Sequence, residues 1–294
     1  SNDALGILIL IRIVCQHNIT MQHRRIHCLD HVFDRMNMSM WPRFKTVFDI
    51  NVNSIVTFPY VEIKKTNKPH AVPLRYAEFA AGIIKLNKGY NDDILISNLK
   101  RLRIEIDKLL SRSVTRINIP KLQIIFMINH YTAILQLLLQ SGNDSEDYLH
   151  FTNSLNSQIS LYVEEELSEK FGKLIQFVKQ TEFSISNDEK SGNEVKIDIN
   201  NLETIVKHFA KYWRDGIEQI HSSVNKNFTM EGQIQVNNEH GTEILKQVLV
   251  QLVLYYQRFQ DIIKKYCRTK PQIMKDVIPI PTIMFEIKKY SKVN

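Results

Sequence analysis

Apolar residues recur along this chain at steps of three and four, the repeat that lines side chains along one face of a helix. Residues 3–23, with Asp3 as a cap, carry Leu5, Leu8, Ile9, Ile13 and Val14 at that spacing and are predicted to form one helix. A second is predicted to start near Leu29 and Asp30 and to run through Val32, Phe33, Met36, Met40, Phe44, Val47, Phe48 and Val52. Pro42 either kinks it or opens a new helix at Trp41-Pro42. Residues 58–73 hold Pro59, Pro69 and Pro73 with Lys64, Lys65 and Lys68, the composition of a mobile basic loop. Helical spacing resumes over 74–86, again from Ile94 to Leu110, and after Pro120 through Leu122, Ile125, Ile128, Ala133, Leu135 and Leu139. Ser141-Gly142-Asn143-Asp144-Ser145 joins a glycine terminator to a capping residue and is the clearest break in the chain. Residues 146–181 follow, with Leu149, Leu155, Ile159, Val163, Leu167, Phe171, Leu174 and Val178 as the apolar stripe and a break expected near Phe171-Gly172. A polar, loop-like stretch is expected at 184–200, and further helices over 201–229, 240–268 and 282–290.

These elements add up to an all-α chain of two helical bundles in series, 1–140 and 141–294, the second with a flexible loop at 184–200. Nine Gly and eight Pro in 294 residues fit long helices rather than many short strands. With 44% hydrophobic residues, 14 Phe, 11 Tyr and 2 Trp, the chain buries a sizeable core, which excludes disordered and low-complexity classes. No repeat of about 20 to 50 residues and no sustained heptad is visible, which argues against a solenoid or a simple coiled coil. Cys15, Cys28 and Cys267 are odd in number and unrelated in spacing, so they build neither a disulfide framework nor a four-cysteine zinc site. A reducing cytosol is the compartment this usage suits. The opening Ser1-Asn2, without an initiator methionine, reads as a fragment of a longer protein.

Charge sharpens this picture. The net +7 divides into +8 over residues 1–120, −7 over 121–263 and +6 over 264–294. The basic residues are spread through amphipathic segments rather than gathered in one dense stripe, which argues against nucleic acid as a partner. The basic ends suit an acidic protein partner or an anionic membrane surface. The most apolar runs, residues 4–14 and 122–139, read as core helices too short or too polar to span a bilayer, the first holding Arg12 and the second Gln123, Asn129, His130, Thr132 and Gln136.

Candidate chemistry is sparse. His23, His27 and His31, with Cys28 and Asp30 nearby, stand at successive steps of four; on a helix they would span about 12 Å, too long for one ion. Arg24 and Arg25 add positive charge beside them, and neither a metal nor a cofactor is expected. The phosphate loop, the dinucleotide fingerprint and the nucleophile elbow are all absent from the sequence. Glu164-Glu165-Glu166 point about 100° apart on a helix and read as a solvated face. Catalysis therefore has no support in the sequence, and an enzyme is not expected.

Two aromatic clusters carry two readings each. Trp41-Pro42-Arg43-Phe44 and Arg75-Tyr76-Ala77-Glu78-Phe79 offer Trp41, Arg43 and Arg75 as candidate partner-binding residues, because Trp and Arg are enriched at binding hot spots. Against this, Trp41 with Phe44 and Tyr76 with Phe79 stand three apart and fill a core more simply, leaving Arg75 and Glu78 to pair outside. In order along the chain they accompany Arg25-Ile26, Leu29-Asp30, Phe33-Asp34, Asn51-Val52-x-Ser54, Ile128-Asn129-x-Tyr131, Phe171-Gly172, Phe177-Val178, Phe209, Trp213, Tyr256-x-Arg258-Phe259 and Glu286-x-Lys288-Lys289. This collinear set resembles the vacuolar protein sorting-associated protein 52 family over nearly the whole chain. His27 and Cys28 depart from it, standing where the family pattern has proline and alanine.

The resemblance implies a non-enzymatic subunit of the Golgi-associated retrograde protein complex and of the related endosome-associated recycling complex. It implies the C-terminal part, without the N-terminal coiled coils: an elongated rod of stacked helical bundles with the CATCHR-type architecture of multisubunit tethers. The partners it implies are the sister sorting subunits fifty-one, fifty-three and fifty-four or syndetin, a Rab-type small GTPase and SNAREs. The place it implies is the cytosolic face of the trans-Golgi network and endosomes, with indirect or peripheral membrane association and a role in endosome-to-Golgi vesicle capture. A basic-surface binder of anionic membrane or nucleic acid is the alternative.

Overall fold

The computed structural model describes residues 3–61, 69–90, 92–191, 199–228, 236–266 and 275–291, and among them the regular elements are helical. In chain order they include α1 (Ala4–His23), α2 (Asp30–Thr57), α3 (Ala71–Asn87), α4 (Asp93–Val114), α5 (Pro120–Leu138), α6 (Glu146–Ser191), α7 (Ile199–Phe228), α8 (Val236–Tyr266) and α9 (Ile280–Ser291). Local chemistry sets several starts. His70 Nδ1 accepts the Val72 N–H at 3.2 Å ahead of α3, Asp92 accepts the Ile94 N–H at 3.1 Å ahead of α4, and Ser145 Oγ accepts the Tyr148 N–H at 3.2 Å in the first turn of α6. Gly142 adopts φ 114°, a backbone conformation that a side chain would strain, and so marks the expected break. α2 runs on through Pro42, which sits on its exposed side.

The chain forms two compact units, Ser1–Gln158 and Ile159–Asn294. They divide inside α6, later than the break at 141–145. The reason is the burial of the first turns of α6: Phe151 is fully covered in the first unit, its ring 5.9 Å from that of Tyr76 on α3 and 5.7 Å from that of Tyr131 on α5. The loop expected at 184–200 is corrected at its two ends, because α6 continues to Ser191 and α7 begins at Ile199. Gly192 is the first helix breaker after Gly172, so nothing in 184–191 interrupts the hydrogen-bond ladder. Residues 62–68, which include Lys64, Lys65 and Lys68, lie outside the described residues, as do 192–198 and Cys267.

In the first unit α1 lies against α2 and α3, α2 against α4, and α3 against α4 and α5. Leu8, Ile11, Phe44, Phe48, Ile83, Leu95, Leu102 and Ile106 are fully covered. Ala77, Ala80 and Ala81 keep α3 slim where it is buried, and the Leu5 side chain of α1 closes over Gly82. Both α1 and Pro120–Ser141 are long and apolar enough to cross a membrane, which corrects the expectation that neither is; the helices extend beyond the apolar runs that mark them. Their burial differs. The apolar window of Pro120–Ser141 is 61% buried, as a core helix should be, whereas that of α1 is 28% buried.

His130 of α5 is part of this core. It is 3% exposed, its Nδ1 bonds the Phe126 carbonyl at 2.8 Å and its Nε2 accepts the His70 backbone N–H at 3.1 Å. With one nitrogen donating and the other accepting, the ring is held neutral. Burial pushes its pKa down to about 4.

In the second unit α7 lies against α8 and α9, and α8 against α9. α6 leaves helical geometry at Phe171 (φ −124°, ψ 24°), at the expected break. The kink turns the Phe171 ring onto Gly216 of α7, where an added Cβ would stand 2.5 Å from Cζ. Phe209 of α7 continues the stack, 5.7 Å from Phe171 and 4.5 Å from Tyr256 of α8 at an interplanar angle of 18°. The Tyr256 hydroxyl and Gln260 Nε2 both donate to the Ile278 carbonyl, at 2.9 and 2.8 Å, and so tie down the residues ahead of α9.

Two outcomes follow for stability. Gly216→Val places a branched side chain against the Phe171 ring and is expected to destabilise by about 2 kcal/mol, with part of the loss restored by Phe171→Leu in the same chain. Urea titration of the two single variants and the double variant measures this, and an unchanged midpoint for Gly216→Val contradicts it. The His130 contribution has the sign of a buried neutral base: it is intact above the unfolded pKa of 6.5 and is lost as pH falls toward about 4. At pH 5 the His130 contribution is expected to be about 2 kcal/mol smaller than at pH 7, so the loss between the two pH values in chemical denaturation is that much smaller for His130→Gln than for the wild type.

Candidate functional site

The candidate residues sit on two helices of the first unit. Trp41 and Arg43 lie on α2 and Arg75 on α3; Arg43 and Arg75 are exposed, while Trp41 is half-buried. Trp41 makes an edge contact with Phe44, the ring centroids 5.8 Å apart. The Arg12 guanidinium lies 5.9 Å from the Trp41 centroid and 4.1 Å from that of Tyr90. Trp41 is thus largely a packing residue. Tyr76 is buried, Phe79 half-buried, and Arg75 and Glu78 face outward, as the spacing implies.

Arg12 organises this end of the unit. It is 9% exposed, donates to the Leu86 carbonyl and to Asn87 Oδ1, both at 3.0 Å, and stands 3.7 Å from the Asp92 carboxylate. It therefore holds α1 to the end of α3 and the start of α4.

A second polar cluster lies between α3, α4 and α6. Arg103 Nη2 donates to Glu146 at 2.8 Å and Nη1 stands 3.5 Å from Asp147, which also accepts the Tyr76 hydroxyl at 3.2 Å. Burial pushes the Asp147 carboxyl above its ordinary value against the pull of Arg103 and Tyr76, while the Arg103 bond holds the exposed Glu146 below its own. Burial, reinforced by Asp147, raises Tyr76 well above the usual tyrosine range. One turn along, His150 Nε2 meets Asp107 at 2.8 Å; burial raises the Asp107 carboxyl although His150 opposes it. These groups answer one another's charge, and the arrangement joins helices rather than presenting a nucleophile.

The acidic run in the second unit splits three ways. Glu165 is exposed, Glu164 half-buried and Glu166 fully buried, so the expectation of one solvated face is corrected. Successive side chains turn by about 100°, which carries Glu166 inward to accept the Ser223 hydroxyl at 3.2 Å. Glu164 accepts the Tyr255 hydroxyl at 2.8 Å and pairs with Lys179 at 2.6 Å; burial works against its charge, yet those partners hold it below the ordinary carboxylate value. Arg258 forms a forked pair with Glu182, one arm at 2.6 Å. A groove of about 590 Å³ runs between α6 and α8, lined by Val163, Glu164, Glu243, Lys246 and Val250 among others.

The three histidines do not share a helix. α1 ends at His23, a 3-10 turn covers His27–Leu29 and His31 lies in α2; His27 meets Asp30 at 3.1 Å. Among the described residues no group of three or more His, Cys, Asp or Glu side chains gathers as a metal site.

Arg12, Arg103 and Asp147 were not singled out by motif, yet a signal for them exists. Each charge occupies an apolar register: Arg12 four after Leu8, Arg103 four after Leu99, and Asp147 four before Phe151.

Comparison with known proteins fits this helical build. Residues 1–163 match the family model described as Vps52, C-terminal, and residues 86–268 match that of exocyst complex component Sec3, C-terminal. The chain is 39% identical, over 99% of its length, to vacuolar protein sorting-associated protein 52 A of Arabidopsis thaliana, and 27% identical, over 98%, to the vacuolar protein sorting-associated protein 52 homolog of Homo sapiens. It spans 40% and 39% of those two relatives. With more than half of its residues matched by the first model and a 39% identical relative aligned along 99% of it, the chain belongs to the Vps52 family, C-terminal part.

Proposed function

We propose that the chain is part of a non-enzymatic subunit of a vesicle-tethering complex, acting in endosome-to-trans-Golgi retrograde transport through protein–protein binding. The observation that carries this reading is the family membership, with 39% identity along 99% of the chain to a relative named for vacuolar protein sorting. The all-α build, of the CATCHR type, supports it. So does the likeness of residues 86–268 to a component of another multisubunit complex. The polar clusters support binding over chemistry, because their charged groups are spent on joining helices.

On this reading the partners are the sister sorting subunits fifty-one, fifty-three and fifty-four or syndetin, a Rab-type small GTPase and SNAREs. The place of action is the cytosolic face of the trans-Golgi network and endosomes, reached indirectly or as a peripheral protein. Arg43 and Arg75, both exposed, belong to a partner-binding surface, with Trp41 supporting it from within.

Retention of the full-length protein on an immobilised Rab-type GTPase, loaded with a non-hydrolysable GTP analogue or with GDP, tests the reading. At least about tenfold more protein is expected on the GTP form, a difference of ~1.4 kcal/mol, with a drop for Arg43→Glu or Arg75→Glu at unchanged helicity. Equal retention on both forms, or none, removes the GTPase from the partners. Failure to co-purify with the sister subunits removes the tether reading altogether.

A further inference from the structure

The outer half of the α1–α2 pair is built unlike the rest of the first unit. From residue 13 to residue 43 no side chain is buried, whereas Leu8, Ile11, Phe44, Val47 and Phe48, just below that stretch, are 2% exposed or less. The two helices lie against each other there, and among the described residues of the first unit no third helix covers them to the depth of a core. Large apolar side chains remain in water as a result. On α1 Ile13, and Ile9 one turn below the stretch, stand four apart at 46% and 44% exposure. Leu29, at the edge of α2, and Val32 and Met36 within it follow at i, i+3 and i+7, each more than a third exposed. That is the anchor spacing by which a helix engages another helix.

The charge around these anchors has one dominant sign. Between Asp3 and Asp30 there is no acidic residue, while Arg24 and Arg25 at the turn and Arg35 on α2 are exposed. Asp30 is engaged by His27 at 3.1 Å, and Asp34 is the other carboxylate of the outer hairpin.

We propose that the outer half of the α1–α2 hairpin is the docking surface for one amphipathic helix of a partner protein, an apolar stripe flanked by Asp and Glu, which completes a three-helix bundle. The proposal rests on the reading of the chain as a protein-binding subunit and names the chemistry of one partner. The apolar spacing selects a helix, because Leu29, Val32 and Met36 recur at the i, i+3, i+7 step along which a partner helix packs, and Ile9 and Ile13 stand four apart on α1. The cations select acidic flanks.

The probe is a synthetic helical peptide of about three heptads with Leu at a and d and Glu at e and g, beside its twin with Lys in place of Glu. Fluorescence anisotropy is read against the 294-residue chain. The Glu peptide is expected to bind at least about tenfold more tightly than the Lys twin. The paired variant Val32→Glu with Met36→Glu is expected to lose about tenfold or more with an unchanged unfolding midpoint, because both side chains are exposed. Arg24→Glu with Arg35→Glu narrows the preference between the peptides. Equal binding of the two peptides, or undiminished binding by the apolar variant, overturns the proposal. So does a dimer of the chain that the same variant dissociates in light scattering, which makes a second copy the occupant. Flotation with phosphatidylserine vesicles that the variant abolishes, without peptide binding, overturns it in favour of a bilayer. Undiminished peptide binding alongside intact co-purification with the sister subunits sinks the docking surface and leaves the tether reading standing.

Discussion

A charge that falls in the buried register of a long helix must find its partner on another helix, and in the first unit that requirement sets the packing. Arg103 stands among Leu99, Leu102 and Ile106 on α4, all fully or nearly fully covered, so its guanidinium points into the unit. Glu146 and Asp147 answer it from the start of α6, and Tyr76 answers Asp147 from α3. Leaving one member of such a buried pair alone costs about 3–5 kcal/mol, several times the contribution of a surface pair. The pairing therefore permits few alternative registers of α3, α4 and α6. Arg12 imposes the same condition where α1, α3 and α4 meet, through the Leu86 carbonyl, Asn87 and Asp92.

The second unit reaches the same end with shape. Phe171, at the kink in α6, needs the missing side chain of Gly216, and Phe209 joins it to Tyr256 and through it to Ile278. A ring that fits only over a glycine also selects one register, though less steeply than the buried ion pair, because an overpacked alternative costs about 1–3 kcal/mol. Family-like positions such as Tyr76, Phe209, Trp213 and Tyr256 are thereby explained as packing: each is 5% exposed or less. The resemblance traced the fold more than a site.

How much was legible follows from what each signal depends on. Helical periodicity and local capping depend on neighbours in the chain, so α1, α3, α4, α5 and α7 begin within a few residues of their expected positions, and Phe171-Gly172 breaks α6 as its residues suggest. The length of α6 was not legible past Thr181, because a polar stretch without breakers looks like a loop until it is seen to continue a helix. The unit boundary depends on which distant aromatics Phe151 meets, which no local signal carries. Glu166 looked like one third of a solvated run, and only its phase relative to Tyr162, Val163 and Leu167 places it inside. Of the candidate residues, Trp41 is half-buried against Phe44 and near Arg12, in keeping with the packing reading of its spacing, whereas Arg43 and Arg75 stay outside.

The same physics separates the scaffold from the surface. Where three or more helices meet, apolar residues are covered and the charges among them are paired, so those residues have little left to offer a partner. The outer α1–α2 hairpin obeys the opposite rule, since two helices can shield only the faces they turn to each other. Its remaining apolar side chains and its cations are kept in water, at a cost that each further helix laid across them would reverse by roughly 25 cal/mol for each Å² covered. Leu8, Ile11, Phe44 and Phe48, fully covered at the base of the hairpin, anchor that surface to the core of the unit. On the proposal above, a partner helix docking on this surface need order only itself, so little of the packing energy it gains is lost to arranging the hairpin.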